Sequence, residues 1–179
     1  MIDFKRIQSS SDAFFQNFYQ LYSTAFPENE RRSLQNLENE LFNPAYHAFV
    51  LMDRNRFVGI FNYWNFEKFI YIEHFAIEEK LRSQHLGSEV LKSFLEKVNL
   101  PVVLEVELPN TEAAKRRIEF YHRLGFIELQ NYYVQPPYES GGFPIPMLLM
   151  TNDYEFVKNN FETVKQTIYL EVYHFNQQD

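Results

Sequence analysis

Cysteine is missing from the 179 residues, glycine appears only five times and tryptophan once. Without cysteine there is no disulfide, no thiolate metal site and no covalent acyl-cysteine intermediate, and the chain suits a reducing, cytoplasmic compartment. No apolar run approaches the roughly 20 residues that span a bilayer, and the first residues lack the charged-then-apolar build of a secretion signal. Repeats, low-complexity stretches and domain linkers are lacking too. Positive charge is in deficit: 17 Lys and Arg face 24 Asp and Glu, a formal net charge of −7. That balance argues against nucleic acid and favours cationic small molecules as partners. His47, His74, His85, His122 and His174 show no paired ligand spacing, so no metal is expected, and there is no serine-hydrolase elbow. What is abundant is apolar and aromatic: 45% hydrophobic and 18% aromatic residues support one domain over residues 1–179 with a sizeable core.

Two stretches carry the same pattern of strand, turn and helix. Phe69-Ile70-Tyr71-Ile72-Glu73-His74-Phe75-Ala76-Ile77 is β-branched and aromatic, as a buried strand requires. It runs through Leu81–Ser88 into a helix marked by Val90, Leu91, Phe94, Leu95 and Val98. Gly87 at that junction allows close approach, and the helix's unpaired N–H groups suit a phosphate. Further on, Val102–Leu108 reads as a strand, Pro109-Asn110 breaks it, and a helix over 111–124 stops at Gly125.

Around these lie simpler elements. A short strand fills 1–7; a helix over 12–26, with Asp12 as its N-cap, ends at Pro27; the charged link Pro27–Arg32 leads to a helix at 33–42. Two strands between Tyr46 and Trp64 flank the hairpin residues Asp53–Arg56, with Gly59 and exposed Asn62 and Asn65 serving the sheet. After Phe126, the run to Tyr138 and Ile145–Met150 form a closing strand pair around a loop containing Gly141-Gly142. From about 152 to 176, Val157, Phe161, Val164, Ile168, Val172 and Phe175 mark an amphipathic helix that either covers the same core or packs on a second subunit.

Arg82 with Gly87 and Ser88 resembles the Arg/Gln-x-x-Gly-x-Gly/Ala signature of the GNAT superfamily of acyl-CoA N-acyltransferases. Asn110 with Tyr121-His122-Arg123-Leu124-Gly125-Phe126 is similar to its later Asn…Tyr-x-x-Leu-Gly-Phe signature. His85 takes the place of the first signature's first glycine, and Asn110 and Tyr121 stand eleven residues apart rather than about seven. At roughly 100° per residue the extra helical turn keeps both on one face. The resemblance covers about residues 1–150. It implies an α/β (α+β) fold with a mixed, mostly antiparallel central sheet flanked by helices, here with an added C-terminal helix.

By the same resemblance, the activity is direct transfer of an acetyl group from acetyl-CoA to a primary amine of a small molecule or peptide, by a cytoplasmic monomer or homodimer. Backbone amides of Arg82, Ser83, Gln84, His85, Leu86, Gly87 and Ser88 would hold the pyrophosphate, Phe75, Ala76 and Ile77 would pair with the pantetheine arm, and Asn110 would add a hydrogen bond. Tyr121 is the family's general acid. The link between the first two helices borders the acceptor site, which nominates Glu28 and Glu30; the last hairpin walls it, which nominates Tyr133, Gln135 and Tyr138.

The chemistry also wants a base, because a lysine-like amine lies over 3 pKa units from neutrality at pH 7, about 4–5 kcal/mol. Glu73 is the candidate: Tyr71, Phe75 and Ile77 share its strand face and would raise its pKa. The other reading is that Glu73 pairs with a nearby cation. His74, facing the opposite way, reads as a hydrogen-bonded core histidine. The competing functional class is a catalytically silent GNAT-like module that binds an acyl-CoA or a protein, and a longer acyl chain is a further option.

Overall fold

A computed structural model describes residues 2–139 and 141–176. The chain gathers into two compact units, one running up to Glu67 and resuming over Ile72–Asn99, the other made of Lys68–Tyr71 and the chain from Leu100.

In the first unit β1 (Ile2–Ile7), β2 (Tyr46–Asp53), β3 (Arg56–Asn65) and β4 (Ile70–Ile77) follow one another in that order, β4 entering the unit at Ile72. β1 with β2 and β2 with β3 are antiparallel. Arg54 and Asn55, at φ 48° and 66°, make the two-residue turn whose twist matches the strands it joins. The register slips between Leu51 and Met52, leaving Val58 as a bulge. Beside it, a Cβ on Gly59 would sit 2.4 Å from the Ala76 carbonyl oxygen of β4. Only glycine permits that approach, which fixes β4 against β3 just before the chain turns away.

Three helices cover this unit: α1 (Phe15–Ala25), α2 (Leu34–Glu40) and α3 (Leu86–Leu95). α1 buries Phe18 and Tyr22, and α3 buries Val90, Leu91 and Phe94. Asp12 does not cap α1; its carboxylate accepts the N–H groups of Gln8 at 2.6 Å and Ser9 at 3.2 Å, and the helix starts after Phe14. Ser33 caps α2, accepting from the Asn36 N–H at 3.3 Å. Asn62, expected at the surface, is fully buried on β3; strand alternation decides which face a residue takes, not whether that face is covered.

The second unit is built on β8 (Ile145–Thr151), which pairs antiparallel with β5 (Val102–Glu107), β6 (Ile127–Glu128) and β7 (Tyr133–Gln135). The expected single run to Tyr138 is interrupted: Leu129 still donates to the Leu149 carbonyl at 2.9 Å, then residues 130–132 loop out and leave Tyr132 81% exposed. α4 (Glu112–His122) starts at Thr111, whose hydroxyl accepts the Ala114 N–H at 3.1 Å, and the chain leaves it through Gly125 at φ 87°.

The tail is not one helix. It forms α5 (Tyr154–Asn159), α6 (Phe161–Thr167) and a π-helical turn (Ile168–Val172), with a break at Asn160. Val157, Phe161, Val164, Ile168 and Val172 are buried as their spacing requires, while Phe175 is 38% exposed. The Tyr169 hydroxyl donates to the Val134 carbonyl, so the apolar stripe is used within the chain's own second unit. Among the described residues no helix is long and apolar enough to cross a membrane.

Candidate active site

β4 and the segment after it hold most of the residues nominated for a co-substrate. The Glu73 side chain is completely covered, yet the residue as a whole is only half-buried. What it shows to solvent is therefore main chain. Beyond Ile77 the chain makes one 3-10 turn (Glu79–Leu81) and reaches Ser83 and His85, both with positive φ, at 65° and 61°. His85 occupies the left-handed conformation that a glycine would take at no cost, directly ahead of the α3 N-terminus. Arg82, Ser83, Gln84 and His85 are exposed, and Leu86, Gly87 and Ser88 half-buried. Arg82 donates from Nε to the Ile77 carbonyl at 3.3 Å, which folds its guanidinium back over the end of β4.

Glu73 sits in a polar cage rather than an apolar one. Its carboxylate accepts from the Arg32 guanidinium, which is 2% exposed, and from the Trp64 indole N–H at 2.8 Å. Arg32 also lies over the Tyr46 and Trp64 rings, 5.8 and 5.6 Å from their centroids, 4.0 Å from Glu40, and its backbone N–H donates to the Tyr22 hydroxyl at 2.8 Å. Burial pushes the Glu73 carboxyl up, but Arg32, His74 and Trp64 together hold it below its ordinary value. His74 donates from Nε2 to the Glu30 carbonyl at 3.0 Å and lies between the Tyr22 and Phe26 rings. Burial depresses its basicity against the opposing pull of Glu73.

In the second unit Tyr121 is 7% exposed on α4, with Phe120 and Phe126 edge-on to its ring. Among the described residues its hydroxyl has no hydrogen-bond partner. Burial pushes its pKa up to about 12. Proton transfer from such a phenol to a thiolate of ordinary pKa would be uphill by about 5 kcal/mol, so its chemistry is that of a hydrogen-bond donor.

A second carboxylate lies in this unit. Glu105 of β5 accepts from the Tyr133 hydroxyl on one oxygen, and from Gln135 Nε2 at 2.9 Å and the Tyr173 hydroxyl at 2.8 Å on the other. Tyr71 adds a further hydroxyl, 3.1 Å from that of Tyr173. Among the described residues no Lys, Arg or His pairs with it. Burial pushes the Glu105 carboxyl up to about 7, although all four neighbours act to lower it.

The profile of the acetyltransferase (GNAT) family matches residues 15–126, more than half of the chain. A solved structure from Bacteroides thetaiotaomicron that bears the GNAT-family acetyltransferase name is 34% identical, with a TM-score of 0.91 over 97% of this chain and 99% of that one. The chain belongs to the GNAT acetyltransferases. More distant structures share the fold: a GNAT acetyltransferase from Elizabethkingia anophelis with acetyl-CoA bound (14% identity, TM-score 0.56, 84% of this chain and 96% of that one), and the spermidine/spermine N-acetyltransferase SpeG from Vibrio cholerae (13%, 0.59, 88% and 99%). Comparison with curated proteins returned no match.

Two expectations, one drawn from the GNAT signatures and one from strand alternation, need correction. Asn110 does not share a helical face with Tyr121, because Thr111 is the extended N-cap and α4 begins only at Glu112; Asn110 is an exposed turn residue. Glu73 does not have a raised pKa, because Arg32, 41 residues away in sequence, supplies the cation that its apolar strand neighbours do not. Of the residues nominated for an acceptor amine, Glu28 is 93% exposed and 3.7 Å from Arg31, while Glu30 presents its carbonyl to His74. Tyr133 and Gln135 meet at Glu105, and Tyr138 rests on the Tyr173 ring at 4.8 Å. Glu105 itself escaped the sequence reading. Its one local signal was a carboxylate between Leu104 and Val106 on a strand that, apart from the terminal Glu107, is made of Val and Leu, which suits a strand covered on both faces.

Proposed function

We propose that this GNAT acetyltransferase moves the acetyl group of acetyl-CoA directly to a primary amine of a small molecule or peptide, the whole chain acting as a single domain. The observation that carries the reading is the solvent-facing main chain at Glu73 on β4, running into a left-handed loop that ends on the α3 N-terminus. A strand with solvent-facing main chain suits an amide-bearing arm such as pantetheine along Phe75, Ala76 and Ile77. The loop and helix start, Arg82–Ser88, offer N–H groups and partial positive charge for the pyrophosphate. Tyr121, with a hydroxyl that no described residue engages, suits hydrogen bonding to the departing thiolate. Asn110, exposed at the turn before α4, remains within the cofactor-side reading, and Glu28 and Glu30 within the acceptor side. Acetyl-CoA as donor and the lack of cysteine support work in the cytoplasm. Glu73, ionised and locked to Arg32, acts as an anchor for β4 rather than as the base.

The test is a thermal-shift titration followed by thiol release. Acetyl-CoA at about 100 times its dissociation constant should add about 2.7 kcal/mol of stability, Gly87→Glu should lose that shift while keeping the free protein folded, and free CoA should appear with at least one amine of a broad panel. No shift up to millimolar acetyl-CoA would sink the reading; a shift without thiol release would leave a binding module instead.

A further inference from the structure

Glu105 is a buried carboxylate whose hydrogen-bond partners are all neutral. Tyr133 donates to one oxygen; Gln135 Nε2 and the Tyr173 hydroxyl donate to the other, at 2.9 and 2.8 Å. Opposite it on β8 stands Leu149, which brings no charge. Gln135 is 5% exposed, and its Oε1 is buried with no hydrogen-bond partner, so the cluster is short of donors rather than of acceptors. Negative charge is costly in such a place. A proton on Glu105, by contrast, is accommodated with every heavy atom where it is. The carboxyl O–H donates to the Tyr173 oxygen, and the Tyr173 O–H turns to the Tyr71 oxygen, 3.1 Å away, where either hydroxyl can be the donor.

The end of the tail closes this cluster. The π-helical turn Ile168–Val172 carries a long i to i+5 bond, the Tyr173 N–H on the Ile168 carbonyl at 3.4 Å, and the Phe175 N–H then reaches the Tyr169 carbonyl at 2.8 Å. Such turns are rare and recur at functional sites. Two hydroxyls pin the segment: that of Tyr173 at Glu105 and that of Tyr169 at the Val134 carbonyl of β7. The Tyr173 ring lies 4.8 Å from that of Tyr138, and the Tyr169 ring 5.7 Å from that of Tyr133. No strand follows the segment among the described residues, so it can lift with the sheet intact. Tyr133, Gln135, Tyr169 and Tyr173 lie beyond residue 126, where the match to the family profile ends.

We propose that residues 168–176 form an acid-closed latch whose catch is Glu105. Carrying its proton, Glu105 holds Tyr173 and the segment stays down; without the proton, the carboxylate gains water when the segment lifts, and the latch loosens. Opening frees the Val134 carbonyl and the Tyr138 ring, so the same proton governs how firmly the last hairpin is held. The sign follows from linkage. Burial pushes the Glu105 carboxyl up to about 7, and water returns it towards its ordinary 4.5, so closing binds a proton between those values. Closure is therefore strongest in acid, weakens as pH rises and is level above about 7.

The titratable groups around Glu105 do not supply this response. Tyr71, Tyr133, Tyr169 and Tyr173 are phenols, and burial pushes those of Tyr133 and Tyr169 further up. Glu107, two residues along β5, is paired with Arg117 of α4, and Glu162 of α6 with Lys165 at 2.6 Å. Glu171 and His174 of the segment itself are exposed.

Amide hydrogen exchange reads the latch in the full chain without any ligand or turnover. Divided by the free-peptide rate at each pH, exchange in peptides from 168–176 of wild type should rise about tenfold per pH unit between pH 5 and 6.5 and level off above about 7. α4 should be better protected than the segment at every pH, because it opens only with the whole unit. Glu105→Gln keeps the shape and cannot ionise, so its segment should hold the pH 5 protection up to pH 8. His174→Gln should leave the wild-type profile intact, and Tyr173→Phe should lower protection at pH 5 by about tenfold. A flat wild-type profile, the same rise in Glu105→Gln, or loss of the rise in His174→Gln overturns the proposal. So does a segment protected as well as α4, or one that Tyr173→Phe leaves unchanged.

Discussion

Each unit of this acetyltransferase encloses a carboxylate carried on one of its strands, Glu73 and Glu105, and the two are built to opposite ends. Glu73 in the first unit has Arg32, Trp64 and a neighbouring His74, and its carboxyl is held below the usual range. Glu105 in the second has three tyrosine hydroxyls and an amide, and burial carries it up to about 7. Both are satisfied in hydrogen bonds, so hydrogen bonding is not what separates them. The difference is one guanidinium. A carboxylate that already has its cation stays ionised inside the protein; one that lacks it keeps its proton to higher pH.

The largest effect that would break the comparison comes from removing the cation. Arg32→Met should cost about 3–5 kcal/mol, because it leaves Glu73 charged and unpaired in the interior; urea denaturation at pH 7.5 measures it. The double variant Arg32→Met with Glu73→Gln should recover a large part of that loss. A single variant within 1 kcal/mol of wild type would mean that the pair contributes little.

Stability against pH separates the two carboxylates next. For Glu105 the folded state keeps its proton to about pH 7 while the unfolded state releases it near 4.5, so the folded state binds more protons between those values. Its stabilisation is therefore present at low pH and lost as pH rises through 7, by about 3 kcal/mol in total. Glu73 has the reverse sign: its contribution is present above the unfolded value and lost as pH falls through the depressed folded one. Melts from pH 4 to 9 should show the decline between 4.5 and 7 abolished in Glu105→Gln and unchanged in Glu73→Gln. The same decline in both variants would contradict the assignment.

Tyr121 sharpens the comparison with a buried group whose role needs neither a cation nor ionisation. Tyr121→Phe keeps the ring between Phe120 and Phe126 and removes only the hydroxyl. Turnover should fall about 100-fold, about 2.7 kcal/mol, with acetyl-CoA affinity nearly unchanged. Near-normal turnover on a substrate whose chemistry is rate-limiting would reduce Tyr121 to packing.

The smallest effect belongs to an exposed position of the first unit. His85→Gly relieves a left-handed residue but adds freedom to the unfolded chain, so the net gain should stay below about 1 kcal/mol. Calorimetry should find acetyl-CoA affinity kept or improved; a clear loss would show that the imidazole itself holds the co-substrate.

What the sequence by itself determined is local and periodic. The two strand-turn-helix stretches, the helix stop at Gly125 and the buried stripe from Val157 to Val172 all follow from residues a few positions apart. Where a local signal competed with another local partner it misled: Asp12 went to the Gln8 and Ser9 amides, and Thr111 took the helix start that would have set Asn110 on the Tyr121 face. Only the tertiary structure decided the two carboxylates, because strand alternation assigns a face and says nothing of what covers it. Arg32 reaches Glu73 across 41 residues, and Tyr133, Gln135 and Tyr173 reach Glu105 across 28, 30 and 68. Whether a carboxylate finds a guanidinium or a ring of hydroxyls depends on which distant elements fold over its strand, and that fixes its charge at neutral pH.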